Sequence, residues 1–458
     1  MVENDAFKLL LINLFHLNPN DITNIVCTTF NKMMVLLVTL ADKHQACPYC
    51  GFTAPKIKEY VTKEITHSAL TTQKCIIKYR ARRYKCPCCG KTYYEFNPFV
   101  FKSQKISILT VHNILKDLKD FNETFTSVAR RYHVSPTSVS TIFDNHVDIG
   151  RNPLPEIINF DEVYAFKSEK SKYVCVLLDF KKQIPVDVLP NRKKEYLLNY
   201  FQKIPLEERK KVKYACSDMY EVYRDVVHKV FPEAKHLLDY FHLSQDFHKK
   251  MNEVRIKVMK GYKDDKASDE YYLLKKFNWL LFKNPEDEDK YGRLFDVERE
   301  RKYNSHFKSY MNYYDLRKKI LEINNDLTIC YSLKLELVDF YSKSTIDNAQ
   351  VNLEHLIRSF IDTNIEEMIK FSNNLINWKQ EIINSFTIVG TEYKVEADKG
   401  QVVVCNKKVN NAIIENRNKI IKCIKNNANG YTNWSRFRNR VMYVLDPNTT
   451  FSLEPREK

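Results

Sequence analysis

Apolar and polar positions change their period several times along this chain, and the changes divide it. Between residues 155 and 250 the runs are short and β-rich. Ile157–Phe166, Lys172–Phe180 and Ile184–Leu189 read as strands, with Val174, Val176 and Leu178 alternating in the second. Lys193–Phe201 has helical spacing, Val212–Ser217 is a strand, Glu221–Phe231 a helix and Lys235–Asp239 a last strand. The order βββαβαβ predicts three antiparallel strands followed by crossover units, with the first and fourth strands adjacent. From residue 251 to about 390, Leu, Ile, Phe and Tyr recur at helical spacing. No Pro occurs between Pro285 and Pro447, and no Gly between Gly292 and Gly390, so an all-α segment is predicted. Asn411–Lys425 is a further helix, stopped by Asn429-Gly430, and another begins near Trp434.

Upstream, Thr126–Phe143 has the grammar of a helix-turn-helix. Ala129 lets two helices approach, Val134 plugs the turn, Ser135 is a good N-cap and Pro136 suits the first helical position. Val139 and Ile142 then face a core, and Thr137, Ser138 and Thr141 point outward, as residues reading a major groove would. An ordinary helical hairpin fits the same pattern.

Cysteine spacing adds a metal. Cys47-Pro48-Tyr49-Cys50-Gly51 and Cys86-Pro87-Cys88-Cys89-Gly90 are matching knuckles, each with two thiols on one tight turn and a Gly to permit positive φ. Two such knuckles predict a Cys₄ zinc ribbon with Cys47, Cys50, Cys86 and Cys89 as ligands. Cys88 could compete with Cys86, although a spare thiol is the simpler reading. The N-terminus carries Glu3 and Asp5 where a secretory leader would be basic, and the longest apolar run, Met33 to Ala41, is too short to span a bilayer. A reducing, cytoplasmic and nucleoid-associated setting is therefore expected, with no membrane partner.

Charge narrows the partner. With 73 Lys+Arg against 57 Asp+Glu, the net charge of +16 points to a polyanion, first of all nucleic acid. Arg82 and Arg83 beside the second knuckle, and Arg417, Lys422, Arg436 and Arg438 on the C-terminal helices, are the candidate phosphate contacts. Among these bases stand three acids. Asp161 and Asp218 each sit at the end of an apolar, β-rich run, and Glu415 sits on the basic helix. Two strand-borne Asp and one helix-borne Glu suit a Mg²⁺ or Mn²⁺ pair, because hard cations take carboxylate oxygens and keep positions open for water and phosphate. Glu162, next along the strand, should point to the opposite face and be structural.

These parts resemble a family. The CPYCG and CPCCG pair, the strand ending in FDE, the segments SDMYEVYRDVVHKVFPEAK and LDYFHL, and the tail NNAIIENRNKIIKCIKNNANGYTNWSRFRNRVMYVL are similar to the zinc-ribbon DDE transposases of bacterial insertion sequences, the L-three family. The resemblance covers nearly the whole chain. It is most specific in the tail and around Asp218. It implies that Asp161 and Asp218 are the catalytic aspartates and Glu415 the third acid, cutting and joining DNA strands at element ends with Mg²⁺. Asp239 and His242 resemble a DxxH pair found after the second aspartate in several DDE groups. Asp239 as a weak metal ligand and His242 as a hydrogen-bonding core residue both remain open. Asn416 stands where family members often carry Gly.

The expected architecture is multidomain α/β: a zinc-ribbon region (1–100), a helix-turn-helix (101–152), an RNase H-like core in two parts (153–250 and 391–458), and an all-α insertion (251–390) between them. Double-stranded DNA and a homodimer or higher oligomer on it are the expected partners. A DNA-binding regulator, or an inactive relative that has lost an acid, is the alternative; a structure-specific nuclease is a third reading.

Overall fold

The computed structural model describes all residues except 1, 44, 102–103, 167–170, 396–401 and 457–458. The N-terminal region holds α1 (Val2–Leu14), β1 (Ile22–Phe30), β2 (Met33–Leu40), β3 (Lys56–Thr66), β4 (Cys75–Lys85) and β5 (Thr92–Tyr94). They form one sheet of order β1-β2-β4-β3, with β5 also on β4. The apolar run at Met33 is β2: Leu36, Val38 and Leu40 turn inward onto Ile12 of α1 and Phe15 just after it. α1 and β1–β2 give that sheet a core of its own.

Three helices follow: α2 (Ile108–Asp117), α3 (Phe125–Arg131) and α4 (Pro136–His146). The Ser135 hydroxyl accepts from the Ser138 N–H at 3.0 Å and Pro136 opens α4, as its residue type favours. Val128, Ala129, Val139 and Phe143 share one core, while Thr137 and Thr141 are exposed and Ser138 half-buried.

The central sheet contains β6 (Ile157–Val163), β7 (Val174–Asp179), β8 (Pro185–Leu189), β9 (Tyr214–Ser217) and β10 (Lys235–Leu238), with α5 (Lys194–Gln202), α6 (Leu206–Arg209) and α7 (Glu221–Val230) in the connections. Its order is β10-β9-β6-β7-β8. β6, β7 and β8 pair antiparallel; β6, β9 and β10 pair parallel. The first and fourth strands are neighbours, as expected. β7 is buried throughout because both faces are covered. Cys175 and Leu177 pack with Phe201, Tyr223 and Val227 of α5 and α7. Val174, Val176 and Leu178 pack with Ile414, Ile421, Phe437 and Val441 from the C-terminal end of the chain.

Next come α8 (Tyr240–Lys260), α9 (Asp269–Lys276), β11 (Glu288–Asp289), β12 (Gly292–Arg293), β13 (Lys302–Asn304), β14 (Ser309–Met311), α10 (Tyr313–Glu322), α11 (Asn325–Lys343), α12 (Ala349–Ile361), α13 (Glu366–Asn377) and α14 (Lys379–Asn384). The expected all-α character of 251–390 is thus corrected by two small hairpins, β11–β12 and β13–β14. They fall in the stretch from Asn284 to Met311, where charged residues displace the helical repeat and turns decide the path. A second correction is the hairpin of β15 (Ile388–Val395) and β16 (Val402–Lys408), whose alternation sequence reading passed over. Finally α15 (Ala412–Asn427) and α16 (Trp434–Leu445) return to the central sheet.

α16 also holds the three-helix unit. Tyr443 enters the core of α2–α4 and its hydroxyl donates to the Leu115 carbonyl at 2.9 Å. The buried Arg440 guanidinium donates to the Asp120 and Glu123 carbonyls, each at 2.8 Å.

Candidate active site

Strand register assembles the acids. Ile157, Ile158 and Asn159 of β6 pair with Tyr214, Ala215 and Cys216 of β9. Tyr214 to Ser217 of β9 pair in turn with Lys235 to Leu238 of β10. Carried forward, the same register sets Asp161, Asp218 and Asp239 level with one another across three neighbouring parallel strands. Level residues on paired strands share a face. The Asp239 N–H extends the ladder by donating to the Ser217 carbonyl at 3.1 Å.

Glu415, in the first turn of α15, meets this row from the side. Ligand atoms of Asp239, His242 and Glu415 lie within 4.8 Å of one another. His242 is one turn into α8, which starts directly after Asp239, and its Nε2 is 3.9 Å from Asp239 Oδ2. Sequence reading ranked Asp239 and His242 as accessory, but they are the residues that the fold brings closest to Glu415. A signal was available: Asp239 follows the end of β10 just as Asp218 follows the end of β9.

Three asparagines hold the helix against the strands. Asn418, one turn after Glu415, donates to Asp161 Oδ2 at 2.7 Å. Asn159 donates to Asn411 Oδ1 at 2.7 Å and to the Asn410 carbonyl at 2.8 Å. The Asn411 N–H faces Asp239 Oδ1 at 3.4 Å. Sequence reasoning missed all three; no spacing rule marks a lone buried Asn.

Burial is the main electrostatic fact. It pushes the Asp161 carboxyl up to about 7, with the fields of Asp218 and Glu162 adding to the rise and the Glu162 N–H opposing it. Asp218 is likewise raised to about 7 by burial and by Glu162, against the opposing charge of Arg192. Asp239 is raised by burial, with His242 opposing. Glu162 does face away from Asp161, as expected: it pairs with Arg192 and accepts from the Tyr223 hydroxyl at 3.2 Å, on the α7 side of the sheet. Arg192, held over the Tyr173 and Tyr220 rings at 4.6 and 4.9 Å, is a cation near Asp218 that sequence reading did not single out.

The donor set fits hard cations. Asp218 Oδ1, Asp239 Oδ2, His242 Nε2 and Asn418 Oδ1 are buried without a hydrogen-bond partner. Buried acceptors left in this state are costly unless a cation or proton joins them.

A pH dependence follows. Asp161 and Asp218 titrate near 7 when folded and near 3.9 when unfolded. Between those values the metal-free folded chain binds more protons, so stability present below about pH 4 is lost as pH rises through about 7. The expected result is a metal-free melting temperature lower at pH 8 than at pH 5.5, with Mg²⁺ raising it most at pH 8. An Asp161→Asn, Asp218→Asn double variant that keeps the full trend would refute this assignment.

The cysteines converge as the knuckles predict. Cys47, Cys50, Cys86 and Cys89 form one cluster, with Cys47–Cys89 sulfurs 3.7 Å apart and Cys50–Cys86 sulfurs 3.5 Å apart. Sulfurs about 2.3 Å from a tetrahedral zinc ion are spaced at about that distance. The two turns are alike: Gly51 and Gly90 have φ of 76° and 74°, and each N–H donates to the first Cys carbonyl at 2.9 Å. Backbone N–H groups, that of Cys89 foremost, hold the Cys86 thiol down to about 7, toward the thiolate a metal needs. Cys88 is exposed and outside the cluster.

Four of the expected phosphate contacts have acidic partners within the chain. Arg82 pairs with Glu95 at 2.8 Å and donates to the Leu40 carbonyl, bracing β4. Arg83 pairs with Glu59 at 2.6 Å. Arg436 pairs with Asp144 of α4, and Arg438 with Asp187 of β8. A run of bases read from sequence does not reveal which acids the fold brings beside it. Lys422 is exposed on α15, and Arg417 is half-exposed with its Nε donating to the Gln183 carbonyl at 3.1 Å.

Comparison with known proteins identifies a family. A family model of the ISL3 DDE type, described as Transposase, matches residues 158–397. That span includes Asp161, Asp218 and Asp239 and ends before Glu415. The transposase for insertion sequence element IS1001 of Bordetella parapertussis is 19% identical over 409 residues, which cover 89% of this chain and 90% of that protein.

Proposed function

The chain belongs to the ISL3 transposase family, and from that premise we propose that it binds the ends of an insertion sequence and cuts and joins DNA strands there with a DDE triad. The observation carrying this reading is the level row of Asp161, Asp218 and Asp239 with Glu415 beside it. The strand order β10-β9-β6-β7-β8, three antiparallel strands then two parallel, supports an RNase H-like core.

Asp161, Asp218 and Glu415 would hold Mg²⁺ or Mn²⁺, with Asp239 and His242 beside Glu415. Bound there, such ions activate water or a 3′-hydroxyl for in-line attack and stabilise the leaving oxygen. The chain's own groups prepare the place. Asn418 orients Asp161 through its 2.7 Å bond. The Asn159–Asn411 pair fixes where α15, and so Glu415, meets the sheet. Covered faces of the sheet exclude bulk water, which strengthens every charge interaction at the site.

The Cys₄ cluster acts as a structural zinc ribbon, and α3–α4 as a helix-turn-helix that presents Thr137, Ser138 and Thr141 to element-end DNA. Arg417 and Lys422 contact phosphate. Two ends must be joined in one complex, so a homodimer or larger assembly on DNA is expected.

Incubation of the chain with Mg²⁺ and duplexes bearing the element's ends tests the function: nicks at the ends and joined products are expected. End-specific binding without cleavage in either Mg²⁺ or Mn²⁺ would favour the regulator reading instead.

A binding prediction separates the two kinds of contact. Thr137→Glu with Thr141→Glu should remove preference for element ends over random duplex. Arg417→Ala with Lys422→Ala should weaken all duplexes alike and reduce the salt slope by about two. Unchanged end preference in the Thr variant would place recognition elsewhere.

A further inference from the structure

Apart from the four cysteines and the acids, a second constellation gathers three residues from separate elements. His228 is in the last turn of α7, His236 is on β10 and Glu381 is on α14. Their ligand atoms lie within 4.8 Å of one another. Glu381 Oε1 is 3.9 Å from His236 Nδ1 and 4.0 Å from His228 Nε2. His236 is 1% exposed and Glu381 4% exposed.

Hydrogen bonding decides what His236 offers. Its Nε2 lies 2.9 Å from the Ser217 hydroxyl. That hydroxyl donates to the Asp218 carbonyl at 2.9 Å. A hydroxyl has one proton, so in this chain the His236 Nε2–H is the donor and Nδ1 is left as a lone pair. Nδ1 is buried and has no hydrogen-bond partner. It faces a carboxylate oxygen across 3.9 Å, too long for a hydrogen bond even if a proton sat between them. Two acceptors aimed at each other in a buried place call for a cation. The Arg224 guanidinium does not answer it, being held by the Asn377 carbonyl at 2.9 Å and by the face of Trp378 at 4.4 Å.

We propose that His228, His236 and Glu381 form a second transition-metal site, of the zinc class, which ties the helical segment to the central sheet. Two imidazoles and a carboxylate are a zinc donor set, and a fourth position stays open to water beside the exposed His228. Ligand atoms about 2.1 Å from a tetrahedral ion stand about 3.4 Å apart, so the carboxylate–imidazole gaps of 3.9 and 4.0 Å need to close by only about half an ångström. The second hydrogen bond of a metal-bound His commonly fixes its tautomer and ring orientation. Here that bond runs to Ser217, which in turn holds the backbone of Asp218. A metal at this place braces the strand end that carries the catalytic acid without touching substrate.

The test is metal content of the full chain after equilibration with micromolar zinc and removal of loose metal. Wild-type protein should hold about two zinc ions per chain, one of them in the ribbon. A Cys47→Ser, Cys50→Ser variant should keep one. Adding His228→Ala to it should remove that one; this residue is exposed, so the fold survives its loss. Glu381→Gln, of equal size, should weaken the same ion by at least tenfold. Glu415→Gln should leave it in place. The proposal is overturned if the cysteine variant holds no zinc. It is equally overturned if the remaining zinc survives His228→Ala or departs with Glu415→Gln, which would put the ion at the catalytic acids. None of these readouts depends on DNA cleavage.

Discussion

Asp161→Ala, Asp218→Ala and Glu415→Ala should each abolish strand cleavage and joining in Mg²⁺, by a factor on the order of 10³ or more, or about 4 kcal/mol of transition-state stabilisation. Each removes an anionic oxygen from a place where cations must be held against phosphate. Binding to element ends should survive, or tighten, since a negative charge facing phosphate is lost. The buried setting makes the alanine variants foldable: Asp161 and Asp218 are both held near 7 by burial, so removing either relieves a charge the interior opposes. Asp239→Ala is the informative comparison. If Asp239 is a ligand equal to Asp218, as the register suggests, its loss should be as severe; if it only steadies the Asn411 N–H, activity should fall far less. Glu162→Ala should be milder than the triad variants, because its carboxylate is on the Arg192 and Tyr223 side of the sheet. Strand joining that persists at the wild-type rate in any one of the three triad variants would remove that residue from the assignment.

Much of this arrangement was legible before any coordinates. The alternation and lengths of residues 157–239 fixed the kind and order of the elements, since a two-residue period and a 3.6-residue period are hard to confuse over such runs. Asp161 and Asp218 stood out because each sits at the end of an apolar, β-rich run. What escaped has physical reasons. Asp239 follows β10 just as Asp218 follows β9, but only the pairing of those two strands puts it level with Asp218. The asparagine clamp depends on Asn159 and Asn411, 252 positions apart, which only tertiary packing brings together. Arg436 and Arg438 look like free bases in a tail rich in them. Their acids, Asp144 and Asp187, lie hundreds of residues upstream, so the pairing cannot be read locally. The same docking means that α2–α4 cannot be deleted cleanly. Tyr443 and Arg440 would lose a core and two carbonyl acceptors, which is why the recognition test above uses surface threonines.

Loss of zinc from the four cysteines should be the largest structural effect, yet a confined one. Structural zinc contributes on the order of 10 kcal/mol to the modules it closes, because the ligands are brought together only when the metal is bound. Here the cluster sits at one end of the N-terminal sheet, joined to it by the packing of Tyr84 and Tyr93 against Cys47 and Cys86. The rest of that sheet has an independent core in Ile12, Phe15, Leu36, Ile77 and Tyr79. Cys47→Ser should therefore release one zinc per chain and open the two knuckles, seen as faster amide exchange at residues 47–52 and 86–91. Exchange in β6, β7 and β9 should not change, and cleavage of a duplex supplied in excess should persist. If Cys47→Ser protein keeps its full zinc content, the cluster is not the site. If β6 and β9 also lose protection, the ribbon is not the separate module that its core implies.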